Sequence, residues 1–165
     1  MSGRRKNAPR LFVGSSKESK RFADAIQQNL DDDADVTVWD QNVFTITKSA
    51  LESLMDQLGK SDFAIFVFAA DDVVRMRQKK YSTVRDNVVF ELGLFMGTLG
   101  RDRTFIVAAK NGRLRIPTDL LGITVGRFNS KRVDKNWRAA LGAFCADVRV
   151  ALSNFRGTPA RRKAR

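Results

Sequence analysis

A single carboxylate lies within an apolar helical segment of this 165-residue chain. Glu91 has Val89, Phe90 and Leu92 as near neighbours, and the four-residue spacing places Asn87 on the same helix face. Ionised carboxylates are rarely buried without a partner because desolvation is costly. Glu91 is therefore either paired structurally or used for chemistry in a cleft, and its register with Asn87 favours the cleft.

Short apolar runs alternate with amphipathic segments, which predicts strands alternating with helices. We expect strands over residues 10–14, 35–39, 62–68, 104–108 and 123–125. We expect helices over residues 17–30, 48–58, 84–99 and 134–155, the second of them ended by Gly59. Such alternation implies right-handed crossovers and a parallel sheet covered on both faces. The prediction is a flavodoxin-like, three-layer α/β fold with a five-stranded parallel sheet of order 2-1-3-4-5.

Ligands of such sheets bind beyond the carboxyl ends of the strands, at the switch point between strands one and three. Candidate binding residues follow the first three predicted strands, namely Gly14, Ser15, Ser16, Trp39, Asp40, Asp71 and Asp72. The first loop could bind a phosphate, and the aspartates could bind ribose hydroxyls. Trp39 could stack on a flat ring. Each also has a structural explanation as a capped turn, an acidic helix start or a core aromatic. Phe44, in the loop over residues 40–47, could act as a lid.

Composition excludes several kinds of site. Histidine is absent, which removes the commonest general base and metal ligand, and we expect no metal site. With Cys145 as the single cysteine, no internal disulfide is possible. No apolar run approaches the roughly 20 residues that span a bilayer. We therefore expect a cytoplasmic protein that does not contact a membrane.

The positive charge is concentrated at the chain ends. Nine cations lie in residues 1–10 and 156–165, and subtracting them from the net charge of +12 leaves +3. We expect disordered basic tails over residues 1–9 and 156–165, flanking one domain over residues 10–155. The tails could bind nucleic acid through counterion release or be solvated ends. Cations of the domain itself are dispersed among acids, so nucleic acid is not its expected partner.

An ordered set of segments resembles the bacterial TIR-like domain family. The segments are residues 12–16, 38–40, 62–64, 71–72, 85–93, 100–101 and 116–122. The most similar branch is described as predicted nucleotide-binding and occurs as the effector domain of cyclic-nucleotide-triggered antiviral defence. The resemblance runs from about Arg10 to Phe128 and is most specific over residues 85–93.

The resemblance implies a TIR fold and hydrolysis of NAD+ at the nicotinamide–ribose bond, with NAD+ as substrate and no further cofactor. Glu91 matches the family's catalytic glutamate, and we hypothesise that Asn87 or Arg85 orients its carboxylate. By the same match, the substrate would be surrounded by Gly14, Ser15, Ser16, Trp39, Asp40, Phe44, Asp71 and Asp72. The family also implies activation by homo-oligomerisation and a cyclic-nucleotide-sensing domain or protein as partner.

The implied chemistry needs no histidine, because the nicotinamide ring is already cationic in NAD+ and needs no general acid to leave, and a carboxylate can stabilise the ribosyl cation. Cyclic ADP-ribose is an alternative product. Two other functions stay open: a nucleoside deoxyribosyltransferase-like enzyme, and a non-catalytic adaptor or nucleotide-binding module. A phospho-receiver domain is excluded, since it needs paired acids after strand one, where this chain has Gly14, Ser15 and Ser16.

Overall fold

The computed structural model describes residues 8–39, 49–70, 72–76, 78–110, 114–120 and 125–155. Within these ranges the strands are β1 (Arg10–Gly14), β2 (Asp35–Val38), β3 (Phe63–Phe68), β4 (Asp72–Met76), β5 (Lys79–Thr83), β6 (Thr104–Ala109), β7 (Leu114–Arg115) and β8 (Val125–Phe128). The helices are α1 (Lys20–Leu30), α2 (Ala50–Lys60), α3 (Asp86–Leu99) and α4 (Trp137–Ser153). Both predicted tails lie outside the described residues, apart from Ala8 and Pro9.

Five parallel strands form the central sheet in the order β2-β1-β3-β6-β8. This order confirms the flavodoxin-like topology predicted from the alternation of apolar runs. At its centre, β3 is buried at all six positions, as expected for a strand covered on both faces. The last strand ends at Phe128, three residues beyond its predicted end, while residues 121–124 lie outside the described ranges.

Helices cover both faces of the sheet. On one face α1 and α4 pack against Leu11, Val13 and neighbouring side chains of the sheet. On the other face α2 and α3 pack against Phe12 and Phe66. Side chains of a strand alternate between faces, so β1 contributes to both cores. None of the described helices combines the length and apolarity needed to cross a membrane.

Side-chain caps set where several helices begin. Ser49 and Glu52 form a capping box at α2, in which the Ser49 hydroxyl accepts from the Glu52 amide at 3.2 Å. Asn136 caps α4 by accepting from the Ala139 amide at 3.0 Å.

The prediction that Gly59 ends α2 is wrong, because the helix continues to Lys60. A glycine inside a helix costs only about 1 kcal/mol, which packing of the remaining helix outweighs.

A second, three-stranded sheet of order β4-β5-β7 was not predicted, because the sequence of the segment is mostly polar and lacks an apolar strand pattern. Strands β4 and β5 form an antiparallel hairpin in which Met76 pairs with Lys79. The two residues between them are Arg77 and Gln78, so the Asn or Gly that usually identifies such a turn is missing. Gln78 nevertheless has a positive φ of 64°.

Candidate active site

A cavity of about 280 Å³ lies between α2 and α3, beside the carboxyl end of β2. It is lined by Trp39, Ala50, Leu51, Leu54, Asn87, Phe90 and Glu91. Three residues singled out by sequence, Trp39, Asn87 and Glu91, therefore meet in one place. The cavity lies at the carboxyl edge of the sheet, which is the edge that binds ligands in this topology, but beside β2 rather than between β1 and β3.

Glu91 occupies the second turn of α3 and is only 4% exposed. Its helix neighbours Val88, Leu92 and Phe95 are buried in the core, whereas Asn87, one turn earlier, is exposed. The carboxylate thus forms part of an otherwise apolar cavity wall, with the carboxamide nearer to solvent. Charge interactions are stronger in such poorly solvated surroundings than in water. A cationic group entering this cavity would be stabilised by Glu91.

Trp39 supplies the other buried polar group of the wall. Its backbone amide donates to the Val13 carbonyl oxygen at 2.8 Å, which ties the residue to the end of β1. The side chain is 8% exposed, and its buried Nε1 has no hydrogen-bond partner among the described residues. An unsatisfied buried donor costs about 1–3 kcal/mol. A ligand acceptor that reached Nε1 would relieve that cost, which makes Trp39 a candidate donor to substrate.

A cluster of aromatic rings lies beneath the cavity. Phe12 stacks on Phe95 with ring centroids 4.3 Å apart and contacts Trp39 at 5.9 Å. Phe66 completes the cluster by an edge contact with Phe95 at 5.6 Å. The end of β2 and helix α3 are therefore held by the same buried rings, which limits movement of the cavity wall.

The loop after β1 has a structural role that the sequence analysis allowed. Ser15 and Ser16 are buried, and the Ser16 hydroxyl accepts from the Ser19 amide at 3.2 Å, capping a short 3₁₀ helix. A side chain at Gly14 would place its Cβ 2.7 Å from Cε1 of Phe66, so close packing requires glycine there. None of the three is among the described residues of the cavity wall. Their binding of substrate remains a prediction.

Arg85 joins the loop after β1 to the start of α3. Its Nη2 atom lies 2.9 Å from Oε1 of Glu18. A backbone hydrogen bond and the charge of Arg85 hold the pKa of Glu18 below its ordinary value. Asn87 lines the cavity with Glu91, and Arg85 is not among the described residues of its wall. Orientation of Glu91 by Asn87 or by Arg85 remains a prediction.

Other predicted site residues are not placed in the cavity. Asp40, Phe44 and Asp71 lie outside the described residues. Asp72 begins β4, where it pairs with Thr83. Their roles toward substrate remain predictions. Among the side chains that the structure describes, no group of three acidic or cysteine residues could hold a metal ion.

Sequence reasoning missed the apolar wall of the cavity. Leu51 and Phe90 line it although they are 51% and 56% exposed, and Leu54 closes it from the core side. A signal was available, because apolar residues at exposed helical positions beside a site are candidates for ligand contact. The wall offers a flat ring an apolar surface next to the Glu91 carboxylate.

Comparisons with known proteins agree with this fold. Residues 10–130 match the family model described as CAP12/Pycsar effector protein, TIR domain. The Pycsar effector protein PaPycTIR of Pseudomonas aeruginosa is 40% identical over 146 residues, which are 88% of this chain and 47% of that protein. CD-NTase-associated protein 12 of Flavobacterium daejeonense is 41% identical over 119 residues, 72% of this chain and 38% of that protein. The chain thus spans less than half the length of these relatives.

Proposed function

Since this chain belongs to the TIR-domain family of CAP12/Pycsar effector proteins, we propose that it is an NAD+ glycohydrolase acting in the cytoplasm as an effector of antiviral defence. One observation carries the proposal: Glu91 is buried in the wall of a cavity that also presents Asn87 and Trp39. A carboxylate in a poorly solvated cleft is suited to stabilising a cationic transition state.

The size of the cavity favours one half of the dinucleotide. About 280 Å³ is near the lower end of small-molecule pockets, which suits nicotinamide with its ribose. In this assignment the ring packs against Leu51, Leu54 and Phe90, and the ribose lies toward Glu91 and Asn87. The ADP half extends along the sheet edge, where the first loop and the predicted Asp40, Phe44, Asp71 and Asp72 contacts would lie.

The reaction breaks the bond between C1′ of the ribose and the pyridinium nitrogen. Its electron pair moves to that nitrogen, so nicotinamide leaves as a neutral molecule and no general acid is needed. The ribose becomes oxocarbenium-like, and the Glu91 carboxylate stabilises its positive charge. Water then adds to C1′ and loses a proton to solvent, which yields ADP-ribose. Attack by the adenine ring instead of water would give cyclic ADP-ribose.

Activation by homo-oligomerisation is part of the proposal. Leu51, Met55 and Phe90 expose apolar side chains on α2 and α3, and two of the three also line the cavity. Apolar side chains at the mouth of a site favour a covering partner, here a second copy of the chain. The relatives are named as Pycsar effectors and CD-NTase-associated proteins, which supports an effector role triggered through a cyclic-nucleotide-sensing domain or protein.

Product analysis tests this function. The protein at high concentration is incubated with NAD+, or with deoxyadenosine and a free pyrimidine base as acceptor, and the products are separated by chromatography. We expect nicotinamide with ADP-ribose or its cyclic form from NAD+, and no adenine from deoxyadenosine. Release of adenine without turnover of NAD+ would instead identify a deoxyribosyltransferase-like enzyme. No turnover of either compound, even in clustered protein, would identify a non-catalytic module.

A further inference from the structure

We infer that a second cavity, on the opposite face of the sheet, binds a nucleoside monophosphate. It has a volume of about 300 Å³ and lies between α1 and the start of α4. Its wall includes Arg21, Asp24, Lys135, Trp137 and Arg138. This inference does not depend on the proposed hydrolase function, because it uses other residues on the other side of the molecule.

Positive charge dominates the wall of this second cavity. Arg21, Lys135 and Arg138 form no ion pair with a carboxylate in the part of the chain that the structure describes. Arg21 donates from Nη1 to the Glu18 carbonyl oxygen at 2.8 Å, which leaves its remaining N–H groups for a ligand. The single acid of the wall, Asp24, is bound by Lys20 at 2.9 Å. The cavity therefore attracts an anion.

Nearby arginines on the same side of the sheet are held differently. Arg132 is bound by Asp134, and Arg149 lies 2.7 Å from Asp33. Those pairs are satisfied within the chain, whereas the three cations of the second cavity line its wall, with Arg21 Cζ also 4.5 Å from the Phe22 ring centroid and 5.8 Å from the Trp137 ring centroid. Arginine and lysine in such a place are the usual protein groups for phosphate.

An aromatic ring stands beside these cations. Trp137 is half-buried and meets Phe22 edge to face, with ring centroids 5.2 Å apart. Phe22 is itself in the core and contacts Phe128 at 4.8 Å. The indole is thus held in place before any ligand arrives. Nucleobases stack on aromatic side chains, and every base offers a flat face for that contact.

The cavity size distinguishes a nucleotide from a polymer. About 300 Å³ is at the lower limit of small-molecule pockets and suits one mononucleotide, with its phosphate on the cations and its base on Trp137. The start of α4 adds partial positive charge to the same region. Because the sheet separates this cavity from Glu91, its ligand does not compete directly with NAD+ at the first cavity.

Intrinsic fluorescence provides a direct test. The chain has two tryptophans, so Trp39→Phe leaves Trp137 as the only indole. In that background AMP is titrated, and the emission of Trp137 is followed. We expect saturable quenching, with displacement of AMP by inorganic phosphate. The double substitution Lys135→Gln and Arg138→Gln should weaken binding at least about tenfold, since it removes two phosphate contacts.

A matched control removes two exposed cations elsewhere, through Lys60→Gln and Arg101→Gln, and should leave AMP affinity within twofold. If both double substitutions weakened AMP binding equally, the inference would be overturned, because the loss would then reflect net charge alone. Absence of saturable quenching at millimolar AMP would overturn it as well. Two further outcomes would reject a nucleotide site and show a general anion-binding surface. One is that phosphate binds as tightly as AMP, so that the adenosine group adds no affinity. The other is that an RNA oligonucleotide binds and AMP does not.

Discussion

Trp39 and Glu91 line one cavity although they come from different elements, the end of β2 and the second turn of α3. Phe12 connects them, because it contacts Trp39 at 5.9 Å and stacks at 4.3 Å on Phe95, one helical turn beyond Glu91. The separation of the indole and the carboxylate is therefore set by buried aromatic packing. Such preorganisation is what electrostatic stabilisation of a transition state requires.

Replacing Trp39 by phenylalanine removes its hydrogen-bond donor and keeps an aromatic ring in the cavity wall. A six-membered ring stays, but the five-membered ring that carries the buried Nε1 is lost. A hydrogen bond contributes about 1 kcal/mol, so we expect KM for NAD+ to rise about fivefold with kcat little changed. The free energy of unfolding, measured with urea, should fall by about 1–2 kcal/mol, because the smaller ring leaves part of a buried site unfilled. An unchanged KM in a variant that is still folded would show that this N–H does not bind substrate.

Two glycine-to-alanine substitutions compare a closely packed glycine at the end of β1 with an open one in α3. At Gly14 the new Cβ would meet Phe66 at 2.7 Å, so we expect Gly14→Ala to destabilise the protein by about 1–3 kcal/mol. Gly93 lies in α3 with no atom within 4 Å of an added Cβ. Gly93→Ala should therefore stabilise the protein by about 0.5–1 kcal/mol. Thermal unfolding measures both effects: the melting temperature should fall for Gly14→Ala and rise for Gly93→Ala. An unchanged melting temperature for Gly14→Ala would refute the packing explanation.

Most of the sheet could be predicted from sequence because its signals are local. The strand β3 is apolar at every position, and helix α1 repeats apolar residues at helical spacing. The β4–β5 hairpin was missed because Arg77 and Gln78 are not usual turn residues, and its strands carry lysine and arginine. Pairing with β7, distant in the sequence, leaves no local signal.

The candidate site was only partly predictable for a similar reason. Asn87 and Glu91 share a helix face, so their register follows from helical spacing alone. The contribution of α2 to the cavity could not be predicted from helical spacing. Leu51 and Leu54 reach the cavity only after α2 docks against α3. The Arg85–Glu18 pair likewise depends on the approach of two segments distant in sequence. Tertiary packing, rather than local preference, decided these contacts.

Asp62 should make stability depend on pH. Burial opposes its ionisation, but hydrogen bonds from the Arg10 backbone and guanidinium outweigh this and lower the pKa of Asp62. Because the folded pKa lies below the unfolded value of about 3.9, the stabilisation is present above that pH and is lost as pH falls through the folded pKa. Arg10 is half exposed, so we expect the contribution to be about 1 kcal/mol or less.

Urea unfolding of wild type and Asp62→Asn measures this contribution. The variant should be less stable at pH 6, and the difference should shrink as the pH falls below about 3.9 and through the folded pKa of Asp62. A difference that stays the same throughout acid titration of the folded protein would mean that the carboxylate charge is not its source.

Clustering should raise the proposed activity. Fusion to a tetrameric coiled coil increases the local concentration of chains, and we expect turnover of NAD+ per chain to rise by about tenfold or more. Met55→Glu, at an exposed position outside the described cavity wall, should reduce this gain by charging the apolar surface. Val150→Glu provides the control on α4, where the side chain is 61% exposed against 48% for Met55 and the helix lies on the opposite face of the sheet from α2. Equal turnover in dilute and clustered protein would contradict activation by assembly.

The most direct test compares Glu91→Gln with Asp86→Asn in clustered protein supplied with NAD+. Both changes replace a carboxylate of α3 by an amide, but Glu91 is buried in the cavity wall and Asp86 is exposed at the helix start. We expect Glu91→Gln to lower nicotinamide release by about 10²–10³-fold in a protein that still unfolds cooperatively on heating, and Asp86→Asn to retain most of the activity. Turnover by a folded Glu91→Gln protein at the wild-type rate would contradict the catalytic assignment of Glu91.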